Sequence, residues 1–180
     1  SPSVNADGDD FSGVTPDDED GVILPAFVTG NTVSVPVVVM NMTGITAKLT
    51  MFVDFNNDGD LVDAGEMASI NVPSGTNTTM LVPIAVPINA VPNTPLGVRF
   101  RLSTDAAASM SPIGAAPDGE VEDYLVRITG PDITHNKSIV SVTQTSANNY
   151  SVVYQIEVTN SSLGIGSYGL DDVPNFDDDI

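Results

Sequence analysis

Leu96-Gly97-Val98-Arg99-Phe100-Arg101-Leu102-Ser103 alternates without a break, with Val98, Phe100 and Leu102 on one side and Gly97, Arg99, Arg101 and Ser103 on the other. Successive side chains of an extended chain point to opposite faces, so this period of two sets one apolar face toward a core. Similar runs lie on both sides of it: TVSVPVVVM, TAKLTMFVDF, MASINV, TTMLVPIAVPI and VEDYLVRIT, each bounded by turn residues. Val, Ile, Thr and Phe dominate them, and no segment carries a helical stripe. Pro36, Pro73, Pro83 and Pro87 suit strand ends, edges or bulges. The pattern predicts an all-β sandwich.

Outward from this core the composition changes twice. Residues 1–20 hold Asp7, Asp9, Asp10, Asp17, Asp18, Glu19 and Asp20 among Gly and Pro, which reads as an acidic arm packing on the first domain over 21–129. After Gly130-Pro131, HNKSIVSVTQTS and YSVVYQIEVTNSS read as a hairpin turning at Asn148-Asn149, with a third strand expected near Tyr168 to Leu170. Two or three strands rarely stand alone, so 130–180 is expected to be a partial β domain, either incomplete or completed by a neighbouring chain through strand addition.

The 180 residues carry five Lys+Arg against 24 Asp+Glu, a net charge of −19. Such a chain repels nucleic acid and anionic membrane surfaces and attracts cations. It has no Cys, which excludes disulfides, thiolate metal sites and a cysteine nucleophile. No apolar run is long enough for a membrane span. The first residues lack the basic and apolar regions of a signal peptide, and the chain is expected to be a segment of a longer protein.

Between two strand candidates lies DFNNDGDLVDAGE, residues 54–66. Asp54, Asn56, Asp58 and Asp60 alternate around Gly59, and Asp63 and Glu66 follow. Calcium takes six to eight oxygens at about 2.3 to 2.6 Å, and a loop turning at glycine points alternate side chains inward around it. D-x-N-x-D-G matches the first half of an EF-hand loop, but the twelfth position is Gly65 and the acid comes one later, at Glu66. No helix flanks it. The expectation is a Ca2+ loop grafted into a β-hairpin, with Asp54, Asn56, Asp58, Asp60, Asp63 and Glu66 as ligands; the alternative is a metal-free, solvated Asn/Asp/Gly turn.

Gly119-Glu120-Val121-Glu122-Asp123-Tyr124-Leu125-Val126 resembles the signature of the GEVED domain of secreted bacterial proteins. DDEDGV at 17–22, VDFNNDGDLVDAGE and LGVRFRLS accompany it, so the resemblance covers about residues 5–129. Phe52 and Phe55 stand where the family often has tryptophan. The resemblance implies a noncatalytic β-sandwich, Ig-like or jelly-roll in type, within large extracellular, adhesin-like or secreted proteins. The second region is similar to the start of the Ig-like repeat domains of bacterial surface stalks, in which a strand Lys such as Lys137 can form an isopeptide crosslink, with an acid such as Glu157 assisting; a plain ion pair is the alternative.

In the signature, alternation sets Glu120 and Glu122 on one face and Val121 and Asp123 on the other. Like charges repel unless a cation lies between them, which suggests a second calcium site joining Asp18 and Asp20 to Glu120, Glu122 or Asp123, against the alternative of a solvated acidic face. Catalysis finds little support. His135 is the only histidine, and G-x-S-x-G is absent. Sequons at Asn41, Asn77, Asn136, Asn149 and Asn160 fit an exposed extracellular surface; the alternative is that in a bacterial chain they carry no meaning.

The expected function is therefore a calcium-stabilised structural or spacer module of an extracellular bacterial cell-surface protein, not an enzyme. Its partners are neighbouring domains of the same long chain, without nucleic acid or membrane insertion. Alternatives are a filament subunit assembled with other copies by strand sharing, and a protein- or sugar-binding accessory module; the absence of Trp weakens the sugar-stacking version.

Overall fold

In the computed structural model, which describes residues 21–173, the regular secondary structure is almost wholly strand. They are β1 (Phe27–Val28), β2 (Thr32–Asn41), β3 (Ala47–Val53), β4 (Met67–Val72), β5 (Thr76–Ala85), β6 (Pro95–Ser103), β7 (Glu120–Thr129), β8 (Ile133–Ser146) and β9 (Asn149–Asn160). One short helix, α1 (Ala106–Ser109), lies between β6 and β7. It is four residues long and capped by Asp105, too short to leave an apolar stripe in the sequence.

A five-stranded sheet, in the order β1-β7-β6-β3-β4, packs against the antiparallel pair β2-β5. The expected sandwich is present. Its filling follows the alternation: Val33, Val35, Val37 and Val39 of β2 are buried, as are Leu49, Met51 and Val53 of β3 and Leu96, Val98 and Phe100 of β6. Asn41 ties the two layers together at one end, its Nδ2 donating to the carbonyls of Val72 and Ile45 at 2.8 and 2.9 Å. This side chain is 2% exposed, so of the five sequons the first is not surface-accessible.

On the outer face of the large sheet, residues 104–118 form a cover. Arg101 is buried and donates to the carbonyls of Ser111, Ile113 and Gly114. Ser109 of α1 donates to the Lys48 carbonyl at 2.8 Å and lies 3.0 Å from Thr50 Oγ1. These bonds explain why polar Arg101, Thr50 and Ser109 sit inside: each finds a partner that replaces water. Burial, with the neighbouring Arg99 charge adding to it, lowers the Arg101 pKa from its ordinary value.

β8 and β9 form a separate two-stranded sheet. The register sets Ile133, His135, Lys137 and Ile139 opposite Asn160, Val158, Ile156 and Tyr154 on one face; Thr134, Asn136 and Ser138 oppose Thr159, Glu157 and Gln155 on the other. A bulge at Val140 restores the apolar face, which continues with Val142 opposite Val152. The third strand expected near Tyr168 to Leu170 does not form; the chain there joins no sheet. Its polar contacts go to side chains instead, as described below.

Candidate metal loop and the GEVED strand

The loop between β3 and β4 is held from inside by two carboxylates. Asp54 is 5% and Glu66 2% exposed. Asp54 Oδ1 and Oδ2 accept the N–H groups of Asp58 and Gly59 at 3.1 and 3.0 Å. Glu66 Oε1 and Oε2 accept those of Phe55 and Asp63 at 2.9 and 3.3 Å. The loop therefore winds around its first and last acids, with positive φ at Asn57 and Gly59 allowing the turn. Burial pushes the Glu66 carboxyl above its usual range; the backbone N–H bonds of Asp63, Phe55 and Asn56 oppose this, and the Asp54 charge adds to it.

Asp58, Asp60 and Asp63 lie on the outside, exposed, with carboxylate oxygens all within 4.8 Å of one another. Two ligands at calcium-like distances from one ion are separated by at most about 5 Å, so this spacing is compatible with shared coordination. Asn56 bridges two of these acids: its Nδ2 donates to Asp58 Oδ2 at 2.9 Å and to Asp63 Oδ2 at 2.6 Å. The donor set is all oxygen with one amide, the chemistry a hard cation selects. All six residues singled out in the sequence thus occupy one loop, in two layers: Asp54 and Glu66 inside, Asn56, Asp58, Asp60 and Asp63 outside.

Beside the inner layer is a cavity of about 330 Å³, whose lining includes Phe55, Asn56, Asp63, Glu66, Asn89 and Ala90. Asn89 was not foreseen, because it comes from the turn after β5, thirty-three positions from Asn56 by numbering. The bond from Val91 N–H to the Phe55 carbonyl, 2.8 Å long, brings that turn to the loop. No local spacing in the sequence signals this juxtaposition.

The residues grouped as a second site are divided by the sheet. Glu120 and Glu122 line a cavity of about 140 Å³ between the layers, together with Leu49, Phe100 and Leu102. Asp123 is 1% exposed on the opposite face, where its Oδ1 accepts from Arg99 Nε at 2.6 Å. Glu122 Oε2 accepts from the Tyr124 hydroxyl at 2.6 Å. Asp18 and Asp20 lie outside the described residues, which begin beside this cavity: a Cβ on Gly21 would stand 2.9 Å from Glu122 Oε1. Asp123 is not brought together with Glu120 and Glu122.

At the start of β7, Gly119 has φ +97° and approaches β6 so closely that a Cβ would lie 1.7 Å from the Leu102 carbonyl oxygen. Only glycine fits there. Four of the five positions of G-E-V-E-D thus have a physical role: Gly119 admits the strand, Glu120 and Glu122 face the inter-sheet cavity, and Asp123 pairs with Arg99 of LGVRFRLS. Lys137, in the hairpin, forms an ion pair with Asp172, and its Nζ lies 4.3 Å from the centre of the Tyr154 ring. Glu157 is on the other face of that hairpin.

A β-sandwich with an acidic loop between two strands, and a strand carrying G-E-V-E-D into its core, is the class these features define. Residues 48–127 match the GEVED domain family, and the chain contains a GEVED domain over that span. The match includes both the acidic loop and the signature strand. No curated protein matches the chain.

Proposed function

We propose that this chain is a noncatalytic structural module of an extracellular bacterial surface protein, stabilised by calcium at the 54–66 loop. The observation that carries the reading is the clustering of Asp58, Asp60 and Asp63 on a loop whose inner acids, Asp54 and Glu66, already satisfy its backbone. Three exposed carboxylates this close repel one another without a counter-charge. Calcium bound there supplies that charge and links folding to metal concentration, which suits a Cys-free chain exposed to a calcium-rich exterior. Asp58, Asp60 and Asp63 would hold it, and the Asn56 amide, whose N–H₂ now faces Asp58 and Asp63, would have to turn over to offer its oxygen.

The resemblance to domains of secreted proteins, the acidic charge and the lack of Cys support the surface location. The hairpin of β8 and β9, with one apolar face, supports a place within a longer series of domains, the Ig-like repeat reading; assembly with other copies by strand sharing is the second reading, favoured by the same exposed face. The acidic arm and a second calcium site at Glu120 and Glu122 remain part of the proposal.

The test is thermal unfolding in excess calcium and in EDTA, for the native chain and for Asp58→Asn/Asp60→Asn/Asp63→Asn. A calcium-dependent rise in melting temperature that the triple variant loses is expected. Equal melting of the native chain in both buffers overturns the reading. Sedimentation over a range of protein concentrations separates spacer from filament, since only the latter predicts oligomers that grow with concentration.

A further inference from the structure

Residues 160–173 begin at the last residue of β9, and their polar contacts reach both structural units of the chain. Ile165 N–H donates to the Thr29 carbonyl at 3.0 Å, and Thr29 Oγ1 donates back to the Ile165 carbonyl at 2.7 Å. Thr29 is only 1% exposed and is itself anchored to the sandwich, its N–H donating to the Thr129 carbonyl at 3.0 Å. This pair of bonds, one from the backbone and one from a side chain, fastens the segment to the residue that follows β1.

Upstream of Ile165 the segment is fastened to the linker. Ser162 Oγ donates to the Gly130 carbonyl at 2.7 Å, Asp132 N–H donates to Asn160 Oδ1 at 3.0 Å, and Ser161 N–H donates to the Asp132 carbonyl at 2.9 Å. Gly164 passes so near the linker that a Cβ would lie 2.3 Å from the Gly130 carbonyl carbon and 2.7 Å from Pro131 N. Those are backbone atoms, which cannot step aside as a flexible side chain can. Downstream, the Tyr168 hydroxyl is 2.6 Å from His135 Nδ1, and Asp172 pairs with Lys137.

We infer that 160–173 is a strap that locks the hairpin to the sandwich as one rigid body. Three fastenings act in sequence along it: the linker by Asn160 to Ser162, the sandwich by Ile165, and the hairpin by Tyr168 and Asp172. A single linker of a few residues leaves two units free to reorient, whereas a second crossing closes a loop between them and removes that freedom. In a spacer, such a strap fixes the angle at which the next unit leaves. The inference is independent of metal binding, so its failure leaves the calcium reading standing.

The absence of Cys allows clean labelling of the whole chain at Asn71→Cys on β4 and Ala147→Cys at the hairpin tip. Pulsed electron–electron distance measurement between spin labels there is expected to give one narrow distribution for the native strap. Gly164→Val is expected to broaden it several-fold while the sandwich melts at its native temperature. Thr29→Ala and Tyr168→Phe, which remove one bond each without adding volume, are expected to broaden it to a lesser degree and serve if Gly164→Val does not fold. A broad distribution in the native chain, or distributions equally narrow in the folded variants, overturns the inference.

Discussion

Arg99 of β6 and Asp123 of β7 stand directly opposite in the antiparallel register and join in a fork, Nε to Oδ1 at 2.6 Å and Nη2 to Oδ2. The same guanidinium donates to the Pro112 carbonyl at 2.8 Å, fastening the cover of residues 104–118 to the sheet. The pair therefore links three parts of the domain, and its two side chains are 13% and 1% exposed.

Removing one member of a buried, hydrogen-bonded pair leaves the other charge uncompensated. Asp123→Ala is expected to cost about 3 kcal/mol, read from the urea midpoint at pH 7. The loss should be the same in calcium and in EDTA, because this carboxylate is already taken by Arg99. A loss present only in calcium would instead make Asp123 a ligand.

Asp54 and the outer acids of the loop should behave in opposite ways. Asp54→Asn places an amide N–H₂ against a backbone N–H and leaves a buried donor unsatisfied, at about 1 to 3 kcal/mol. That loss is expected even in EDTA. Asp58→Asn/Asp60→Asn/Asp63→Asn, by contrast, relieves repulsion among exposed carboxylates, and its stability in EDTA should equal or exceed that of the native chain. Denaturant titration of both variants in EDTA is the check; equal losses would mean that the two layers of the loop have the same role.

Gly119 is the least replaceable residue of the signature. A Cβ there meets the Leu102 carbonyl oxygen at 1.7 Å and demands φ +97° of an L residue. Strain at such a position is about 1 to 3 kcal/mol before the clash is counted, so Gly119→Ala should lose more than about 3 kcal/mol or fail to fold. Melting within a few degrees of the native value would show that β7 shifts to make room.

The strands were legible because each buries one face: Val98 and Phe100, chosen by alternation alone, are in the core. The loop was legible because its six oxygen-bearing residues are neighbours in sequence. What escaped depends on contacts between distant segments. The parallel pairing of Phe27 with Ile128, the carbonyls around Arg101 and the approach of Asn89 to Glu66 leave no periodic trace. Tyr168 shows the converse: its local composition suggested a strand, while the structure directs it to His135.

Asp118 supplies a pH test of the cover. It accepts from the Ser103 hydroxyl at 2.7 Å, from Thr104 N–H at 2.9 Å and from the Thr104 hydroxyl, and these bonds, the Thr104 hydroxyl foremost, hold its pKa below the ordinary value of 3.8. A carboxyl whose folded pKa is depressed stabilises the fold fully above its unfolded value, and that contribution is lost as pH falls through the folded value. Asp118→Asn should thus be less stable than the native chain at pH 7. The gap should close as pH falls below the ordinary carboxylate range and through the depressed folded value, where the native carboxyl is protonated as well. Urea midpoints of both proteins, measured in EDTA from pH 7 downward, decide the matter: a gap that stays constant with pH would mean that the charge on Asp118 contributes nothing and that only the shape of its side chain holds Ser103 and Thr104.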